Sequence, residues 1–447
     1  MGATYEFTGS VDTASHSTYT RALQHCVQRH PQLSVIVANA ESNSPYFQHY
    51  PRLDLNEHVQ ILDGREEGDD EGKAIERALP RILDTKLLPN IPAWKIFVLT
   101  LSQKRCFIAF FCSHTLGDGM SGLAFHQTLL SALEEPNLEM DLVGSPATNR
   151  IGSACDTPDK LPISWSFFLA TLLGIFLPKR VVSMLGIKAP STTITSGTWT
   201  ASPMFYNAEK HTTGVQTILI DGAIVDEVLR VCRSHGAKLT GFLHQLIVHA
   251  LSRALPATTN IDNFVAQTAL SLRGALEVSN GEIGNFLSGD METFPRKITT
   301  GGERDTAIDW GSAKSTTERL AALSKTVHDQ PIALLRYLSD IRTWTLSKIG
   351  QRRECSYEVS NLTSFHPNSA AQKCTVVEML FCQAANVTGP PLNFNVVSVA
   401  NGPLTIAVSW QVGALGLAAD GDEKSFVNGI CHRIKLGFEQ LASSSKS

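Results

Sequence analysis

The chain has 447 residues, of which 43% are hydrophobic and 18% are charged, and this composition is typical of a compact globular protein. Its 38 Lys and Arg against 42 Asp and Glu give a net charge of −4, which excludes an overall basic field, so we expect no nucleic-acid partner. The length exceeds one ordinary hydrophobic core and predicts two domains, which we place at residues 1–185 and 186–447.

The nine cysteines are scattered, and no two of them form a CxxC pair. This pattern is typical of free thiols in a reducing compartment and argues against a disulfide framework or a metal site. The first residues, MGATYEFTGS, lack the basic and apolar stretches of a secretory signal. The sequence therefore predicts a cytoplasmic protein without a metal centre.

One apolar run, residues 163–177, complicates that location. At about 15 residues it is shorter than a membrane-spanning helix requires. We expect a helix that is buried or lines a substrate entrance, and a helix lying in a membrane interface stays open as the alternative. Peripheral membrane contact is therefore a second prediction for this run.

The first part of the chain alternates helical and strand patterns. In chain order we predict a helix over 17–31, a strand over 33–38, a helix over 73–88, strands over 94–101 and 105–114, and a helix over 121–135. Pro80 should bend the second helix or mark its true start. The last two strands are separated by Ser-Gln-Lys, a spacing that predicts an antiparallel hairpin.

Residues 141–205 are rich in Gly, Pro, Ser and Thr and predict the connection between the domains. Beyond them we predict a strand over 215–220, helices over 223–236 and 239–255, a strand from 264 that ends near Arg273, a helix over 316–329, a strand over 374–384, a hairpin over 392–411 and a helix over 426–443. Gly236 should close one helix and Thr240 should cap the next, while Asn401-Gly402 predicts the hairpin turn.

The stretch SHTLGDGMSG places His114 four residues before Asp118, and Gly119 follows the Asp. His114 ends a predicted strand and precedes a predicted helix, and at such a junction a rigid scaffold can direct an imidazole into a cleft. A neutral imidazole accepts a proton from a hydroxyl or an amine near neutral pH. The placement favours His114 as a general base, although the spacing alone also arises by chance.

Asp118 has two candidate roles. It could orient His114 as in a catalytic triad, or it could pair with a distant cation and hold the shape of the turn. Gly117 and Gly119 would permit a close approach of the backbone or unusual dihedral angles. The spacing of these residues leaves both roles of Asp118 open.

No signature of a nucleophile accompanies this base. The GxSxG, Walker A, GxGxxG and HExxH motifs are absent from the sequence. His244 and His249 lie five residues apart on one predicted helix, so they do not share a face, and we expect both to be structural. A lone base with direct group transfer fits this pattern better than covalent catalysis.

HTLGDG, which follows a hairpin and precedes a helix, resembles the HxxxDG signature of the CoA-dependent acyltransferase superfamily. That superfamily includes chloramphenicol acetyltransferase (CAT), plant BAHD enzymes, condensation domains and fungal alcohol acetyltransferases. Further segments are similar to the last group, and they span nearly the whole chain: RALQHCVQRHPQLSVIV, SHGAKLTGFLHQLIVHAL, SLRG, IGNF, EVSNL and SVANGPLTIAVSWQ. The likeness is to a family and not to one protein.

The resemblance implies an α/β fold of two CAT-like domains, each a mixed β-sheet flanked by helices, with the active-site channel between them. His114 would be the general base, and Asp118 would be structural, paired with Arg273 in SLRG. Ser360 or Asn361 in EVSNL would stabilise the oxyanion. Acyl-CoA would enter as a co-substrate opposite the acceptor, no cofactor would stay bound, and the CoA contacts are unassigned.

Two features depart from the family pattern. The DFGWG loop of the plant enzymes is absent, and NFNVVSV stands in the corresponding region. MGATYEF also precedes the first helix without the usual leading segment, so we expect a missing first strand or an altered entrance. The first departure favours the fungal branch.

The function predicted from the sequence is transfer of an acyl group, most simply acetyl, from acyl-CoA to a hydroxyl of a small, largely apolar molecule such as a fungal secondary metabolite. Three alternatives stay open: amide formation on a carrier-bound substrate, CoA-independent acid/base cyclisation or isomerisation, and non-catalytic binding of a small molecule. We expect a monomer whose partners are the acceptor and acyl-CoA.

Overall fold

The structure is a computed structural model, and it describes residues 1–62, 66, 68–134, 151–152, 154–177, 181–182, 194–257, 259–297, 308–367, 373–417 and 421–444. The predicted domain boundary between residues 185 and 186 lies outside the described residues, as does much of the predicted connection over 141–205. The boundary therefore stays a prediction.

The described residues form strands and helices in an interleaved order, as predicted for an α/β protein. The strands are β1 (Gly2–Phe7), β2 (Val35–Ala38), β3 (Tyr46–His49), β4 (Val59–Leu62), β5 (Trp94–Thr100), β6 (Arg105–Cys112), β7 (Thr213–Ile220), β8 (Asn263–Ser271), β9 (Leu287–Pro295), β10 (Tyr357–Phe365), β11 (Cys374–Leu380), β12 (Leu392–Val399) and β13 (Leu404–Gln411). The helices are α1 (Ser17–Arg29), α2 (Glu71–Leu83), α3 (Gly119–Glu134), α4 (Trp165–Phe176), α5 (Gly222–Ser234), α6 (Leu239–Ala254), α7 (Trp310–Leu323), α8 (Ile341–Ser347) and α9 (Glu423–Ser444).

The first sheet has the strand order β11-β1-β6-β5-β4. The predicted hairpin of β5 and β6 is confirmed, since the two strands pair in antiparallel register from Trp94 and Cys112 to Thr100 and Cys106. Strand β4 pairs parallel to β5, so the sheet is mixed as predicted. Helices α1 and α3 pack against each other beside this sheet.

The expectation of a missing first strand is wrong. Residues 2–7 form β1, which lies inside the first sheet between β11 and β6 and is antiparallel to both. Because all of these residues except Glu6 are buried, the segment lacks the alternation that identifies a half-buried strand. A Cβ on Gly2 would lie 2.2 Å from the Phe107 ring, so this glycine permits the close packing of β1 on β6.

Strand β11 comes from the second half of the chain but completes the first sheet as its edge strand. Its residues Cys374 to Leu380 pair with Phe7 to Gly2. The two sheets therefore do not correspond to two uninterrupted halves of the sequence. This crossing strand ties the second half of the chain to the first.

The second sheet has the strand order β7-β13-β12-β10-β8-β9 and carries α5, α6 and α9. Strand β10 is parallel to β8 and β12, and the remaining pairs are antiparallel. The predicted hairpin of β12 and β13 is confirmed, and its turn residue Asn401 has a φ of 58°. The core beneath this sheet includes the Phe242 and Phe438 rings in edge contact.

Three predictions about helix ends and interiors have different outcomes. Gly236 follows α5 with a φ of +68°, a conformation that glycine adopts readily, which confirms its role in ending that helix. Thr240 is wrong as a cap, because α6 begins at Leu239 with Lys238 as its N-cap. Pro80 lies inside α2 and does not mark its start.

The two histidines of α6 are buried, as expected for structural residues. His244 hydrogen bonds to the Tyr357 hydroxyl at 3.1 Å and to the Thr268 hydroxyl at 3.0 Å. Burial lowers the pKa of His244 to about 3, so its ring stays neutral near neutral pH. His244 is therefore a neutral bridge between helix and sheet.

The apolar run over 163–177 forms α4, as the sequence predicts. Trp165, Leu169 and Leu173 are exposed, whereas Phe167 lines a large cavity. Phe168 contacts the Tyr337 ring with centroids 4.9 Å apart. The part of the chain that the structure describes contains no helix with the length and apolar character to cross a membrane, and contact of α4 with a membrane surface stays a prediction.

Candidate active site

A cavity of about 1360 Å³ lies between the two sheets and is lined by residues from both halves of the chain. Its polar lining includes His114, Asp118, Glu358, Ser360 and Gln383. Its apolar lining includes residues of α2, β6 and β8 and of the segment after β11. The cavity therefore brings segments distant in sequence around one histidine, which is typical of a binding or active site.

His114 reaches the cavity because the chain turns sharply between β6 and α3. Strand β6 ends at Cys112, and Ser113 still donates its backbone N–H to the carbonyl of Ala93 at 2.8 Å. Leu116 then donates to the carbonyl of Ser113 at 3.0 Å, and α3 begins at Gly119. The predicted junction of strand, turn and helix is confirmed.

The His114 side chain is exposed within this cavity. Neither ring nitrogen has a hydrogen-bond partner among the described residues. Its backbone carbonyl accepts a hydrogen bond of 2.6 Å from the Asn285 side chain, which belongs to the IGNF segment of the second half. The backbone is thus held in place while the imidazole is left available to a bound molecule.

The Asp118 carboxylate is buried and makes four hydrogen bonds that involve both oxygens. Oδ1 accepts from the Arg273 guanidinium at 2.6 Å and from the Ser121 hydroxyl and backbone N–H at 2.9 and 3.0 Å. Oδ2 accepts from the backbone N–H of Phe286 at 3.1 Å. These bonds hold the turn to the second half of the chain, and none of them reaches the His114 ring.

Arg273 is 1% exposed and forms the ion pair with Asp118 that the resemblance implies. Its Nη2 also lies 3.4 Å from the Ser121 hydroxyl and from the Gly284 carbonyl. The guanidinium carbon stacks over the Phe286 ring at 4.8 Å, while Nε and Nη1 have no partner in the described part of the chain. Asp118 is therefore the main compensation for this buried positive charge.

Gly117 and Gly119 allow neighbouring side chains to pack closely against the backbone, and neither glycine has a positive φ. A Cβ on Gly117 would lie 2.5 Å from the Ser121 hydroxyl oxygen and 2.7 Å from its Cβ. A Cβ on Gly119 would lie 2.7 Å from Leu362 in β10. Of the two explanations that the sequence allowed, close approach is the one observed.

Only one of the two predicted oxyanion donors lines the cavity. Ser360 does so, and its hydroxyl has no hydrogen-bond partner among the described residues. Asn361 points away because successive side chains of a strand face opposite sides of the sheet. It donates to the Thr240 hydroxyl at 3.2 Å and accepts from the backbone N–H of Thr363 at 2.9 Å, so the structure does not bring Asn361 to the site.

Glu358 lines the same cavity and was missed at the sequence level. It lies two residues before Ser360 on β10, on the same face of the strand. Burial raises the pKa of its carboxyl group, and the hydrogen bond from Gln383 and the charge of His114 oppose that effect. A charged residue within the buried segment YEVSNL was the available signal, because an isolated buried carboxylate is costly.

Two cysteines that line the cavity are poorly suited to act as nucleophiles. Burial raises the pKa of Cys112 to about 11 and that of Cys382 to about 12. At neutral pH both are therefore thiols, and the thiolate is the reactive form. Neither thiol at the cavity wall is therefore suited to act as a nucleophile near neutral pH.

The comparisons with known proteins agree with this geometry. The sequence profile of the alcohol acetyltransferase family matches residues 11–270, which is more than half of the chain. The chain belongs to the alcohol acetyltransferase family. The match includes His114, Asp118 and the cavity-lining strand β6, so the family assignment covers the first half of the site.

Two curated fungal proteins are similar to this family member over most of their length. The probable alcohol acetyltransferase FCK4 of Fusarium pseudograminearum is 25% identical over 423 residues, covering 90% of this chain and 83% of that protein. The probable alcohol acetyltransferase crmB of Aspergillus fumigatus is 21% identical over 433 residues, covering 92% and 87%. Acyltransferase activity is the common description of these relatives.

Solved structures with the same fold come from condensation-type domains. The first condensation domain of the calcium-dependent antibiotic synthetase has a TM-score of 0.60 at 12% identity, covering 99% of this chain and 90% of that one. The condensation domain of the Monacolin K polyketide synthase MokA has a TM-score of 0.58 at 12% identity, covering 98% and 92%. The predicted fold of two CAT-like units is confirmed, and at this identity the likeness concerns the fold alone.

Proposed function

We propose that the protein transfers an acyl group, most simply acetyl, from acyl-CoA to a hydroxyl of a small, largely apolar molecule, with His114 as the general base. The observation that carries this proposal is the free imidazole of His114 in a cavity built from both halves of an alcohol acetyltransferase family member. A general base needs an unoccupied ring nitrogen within reach of the substrate.

The proposed reaction is a direct transfer. The acceptor hydroxyl gives its proton to His114 while its oxygen attacks the thioester carbonyl, and a tetrahedral oxyanion forms. Collapse of that intermediate breaks the carbon–sulfur bond, and the imidazolium returns the proton to the CoA thiolate. Ser360 donates a hydrogen bond to the oxyanion, a contact that strengthens as charge develops.

The character of the acceptor follows from the cavity lining. Phe107, Phe110 and Leu79 are among its apolar residues, and His114, Glu358 and Ser360 are among its polar ones. A largely apolar molecule with one reactive hydroxyl would bury its surface there without leaving polar groups unpaired. Acyl-CoA would act as the co-substrate, and a cytoplasmic fungal metabolite would be a suitable acceptor.

A direct assay of acetyl transfer tests this proposal. Purified protein is incubated with acetyl-CoA and a panel of apolar alcohols and hydroxylated metabolites, and mass spectrometry follows the gain of one acetyl group on the acceptor. We expect an ester product together with an equal amount of free CoA thiol. Failure of the protein to bind acetyl-CoA in a calorimeter, with no transfer to any alcohol, would instead favour the carrier-dependent or CoA-independent alternatives.

A further inference from the structure

A second ionisable side chain in the cavity has no part in the reaction described above. Glu358 is only 7% exposed, yet it lines the cavity that holds His114. An ionised carboxylate in such a place is costly unless other groups stabilise it. The Glu358 carboxylate therefore needs a group that stabilises its charge.

The two carboxylate oxygens of Glu358 differ in their hydrogen bonding. Oε1 accepts a hydrogen bond of 3.0 Å from the Gln383 side-chain amide, which also donates to the side-chain oxygen of Asn395 at 2.9 Å. Asn395 in turn donates to the carbonyl of Ala407 at 3.2 Å, which anchors this chain of hydrogen bonds in β13. Oε2 has no hydrogen-bond partner among the described residues.

His114 is the candidate partner of Glu358, because both side chains line the same cavity and their charges interact. The residues beside Glu358 on the flanking strands are Gln267 and Asn393, which are both neutral. Cys355 is a titratable residue three positions before Glu358, and burial together with the charge of Glu358 raises the pKa of that thiol, so it stays uncharged near neutral pH. The charge of His114 lowers the pKa of the Glu358 carboxyl group, whereas burial raises it.

We propose that Glu358 is a positioning residue whose carboxylate stabilises the imidazolium of His114 as that ring takes the proton from the acceptor hydroxyl. Asp118 cannot supply this stabilisation, because its oxygens are engaged by Arg273, Ser121 and Phe286. Glu358 takes up no proton in this step. The timing rests on the proposed acyl transfer, whereas the electrostatic interaction between the two side chains does not.

Ionisation of the buried Glu358 carboxyl group lowers the free energy of unfolding. Because burial raises the pKa of Glu358 in the folded state above the unfolded value, the folded state binds the proton more tightly. The free energy of unfolding therefore falls as the pH rises from the ordinary glutamate pKa through the raised one. The variant Glu358→Gln should have a higher Tm than the wild type at pH 8, and the difference should disappear below about pH 4.

The experiment compares the wild type with Glu358→Gln and Glu358→Asp, and Glu378→Gln serves as the matched control. Glu378 is likewise a glutamate whose pKa is raised by burial, but it does not line the cavity. We expect Glu358→Gln to lower kcat by ~10-fold or more with little change in the KM for acetyl-CoA, and to move the acid limb of the pH–rate profile to lower pH. Glu358→Asp should restore part of the rate, and Glu378→Gln should leave it unchanged.

A measurement without turnover separates the electrostatic interaction from the proposed function. The titration midpoint of the His114 ring is followed by NMR, with its signal assigned from its loss in His114→Ala. We expect Glu358→Gln to lower that midpoint, whether or not the wild type transfers acetyl groups. An unchanged midpoint would overturn the proposal even if kcat fell, because Glu358 would then act on the substrate or the fold and not through His114.

Discussion

Asp118 holds the active-site turn in place, and its contacts show how. Its carboxylate joins the HxxxDG turn to Arg273 and to the backbone of Phe286, both of which lie more than 150 residues away in sequence. The pair is almost completely buried, at 1% and 4% side-chain exposure. Removal of either partner would leave an uncompensated buried charge or buried polar groups without partners.

The first prediction therefore concerns stability. We expect Asp118→Ala to lower the free energy of unfolding by about 3–5 kcal/mol, because Arg273 would remain buried without its carboxylate. Urea denaturation of Asp118→Ala, Arg273→Met and the double variant checks this, and the double variant should lose less than the sum of the two single losses. Normal stability of Asp118→Ala together with lost turnover would instead indicate a direct role in the chemistry.

The second prediction at this scale uses two neighbouring residues of β10. Ser360→Ala should lower kcat by ~100-fold with little change in KM, because a donor to the oxyanion acts in the transition state. Asn361→Ala is the matched control, since its side chain lies on the other side of the strand against Thr240. Steady-state kinetics of both variants measure these changes in kcat. Equal losses of kcat in the two variants would show that Ser360 is not the donor to the oxyanion.

At the scale of elements, the turn between β6 and α3 depends on how closely its glycines pack. Ser121, in the first turn of α3, has its hydroxyl oxygen 2.9 Å from Asp118 Oδ1 and 3.0 Å from the Gly284 carbonyl, so its single proton can be donated to either acceptor, and the same oxygen accepts from the Gly284 N–H. Gly117 lies directly against that serine. The turn, α3 and the loop before β9 therefore form one packed unit.

The third prediction tests that packing. Gly117→Ala should lower the free energy of unfolding by about 1–3 kcal/mol and reduce activity, because the new methyl group would displace Ser121 from its hydrogen bonds. Gly274→Ala is the control, since a Cβ there would meet nothing within 4 Å. Thermal unfolding of both variants gives the comparison, and equal small effects would show that the turn can relax around the methyl group.

The elements near the site differ in how far the sequence predicts them. The hairpin of β5 and β6 and helix α3 follow from strong local patterns, so the position of His114 at the end of a strand was predictable. Strand β1 was not predictable in this way, because it is buried on both faces and its residues do not alternate between buried and exposed. Assigning EVSNL to a strand would have separated Ser360 from Asn361 and shown that Glu358 shares the face of Ser360.

At the scale of the whole molecule, the site exists only where both halves of the chain meet. His114 comes from the first half, and Ser360 and Glu358 come from the second. Strand β11 completes the first sheet from the second half, and the Asp118–Arg273 pair joins them again. Such long-range contacts leave no local pattern, so Arg273 could be selected only through the family resemblance, and Glu358 was not selected at all.

The central claim is that His114 is the general base of acyl transfer, and the variant His114→Ala tests it most directly. Its Tm should match that of the wild type, because the ring makes no hydrogen bond in the described part of the chain. The rate of acceptor-dependent release of free CoA thiol from acetyl-CoA is measured for both proteins. We predict a loss of ~100-fold or more in the variant. Release at nearly the wild-type rate would contradict the claim.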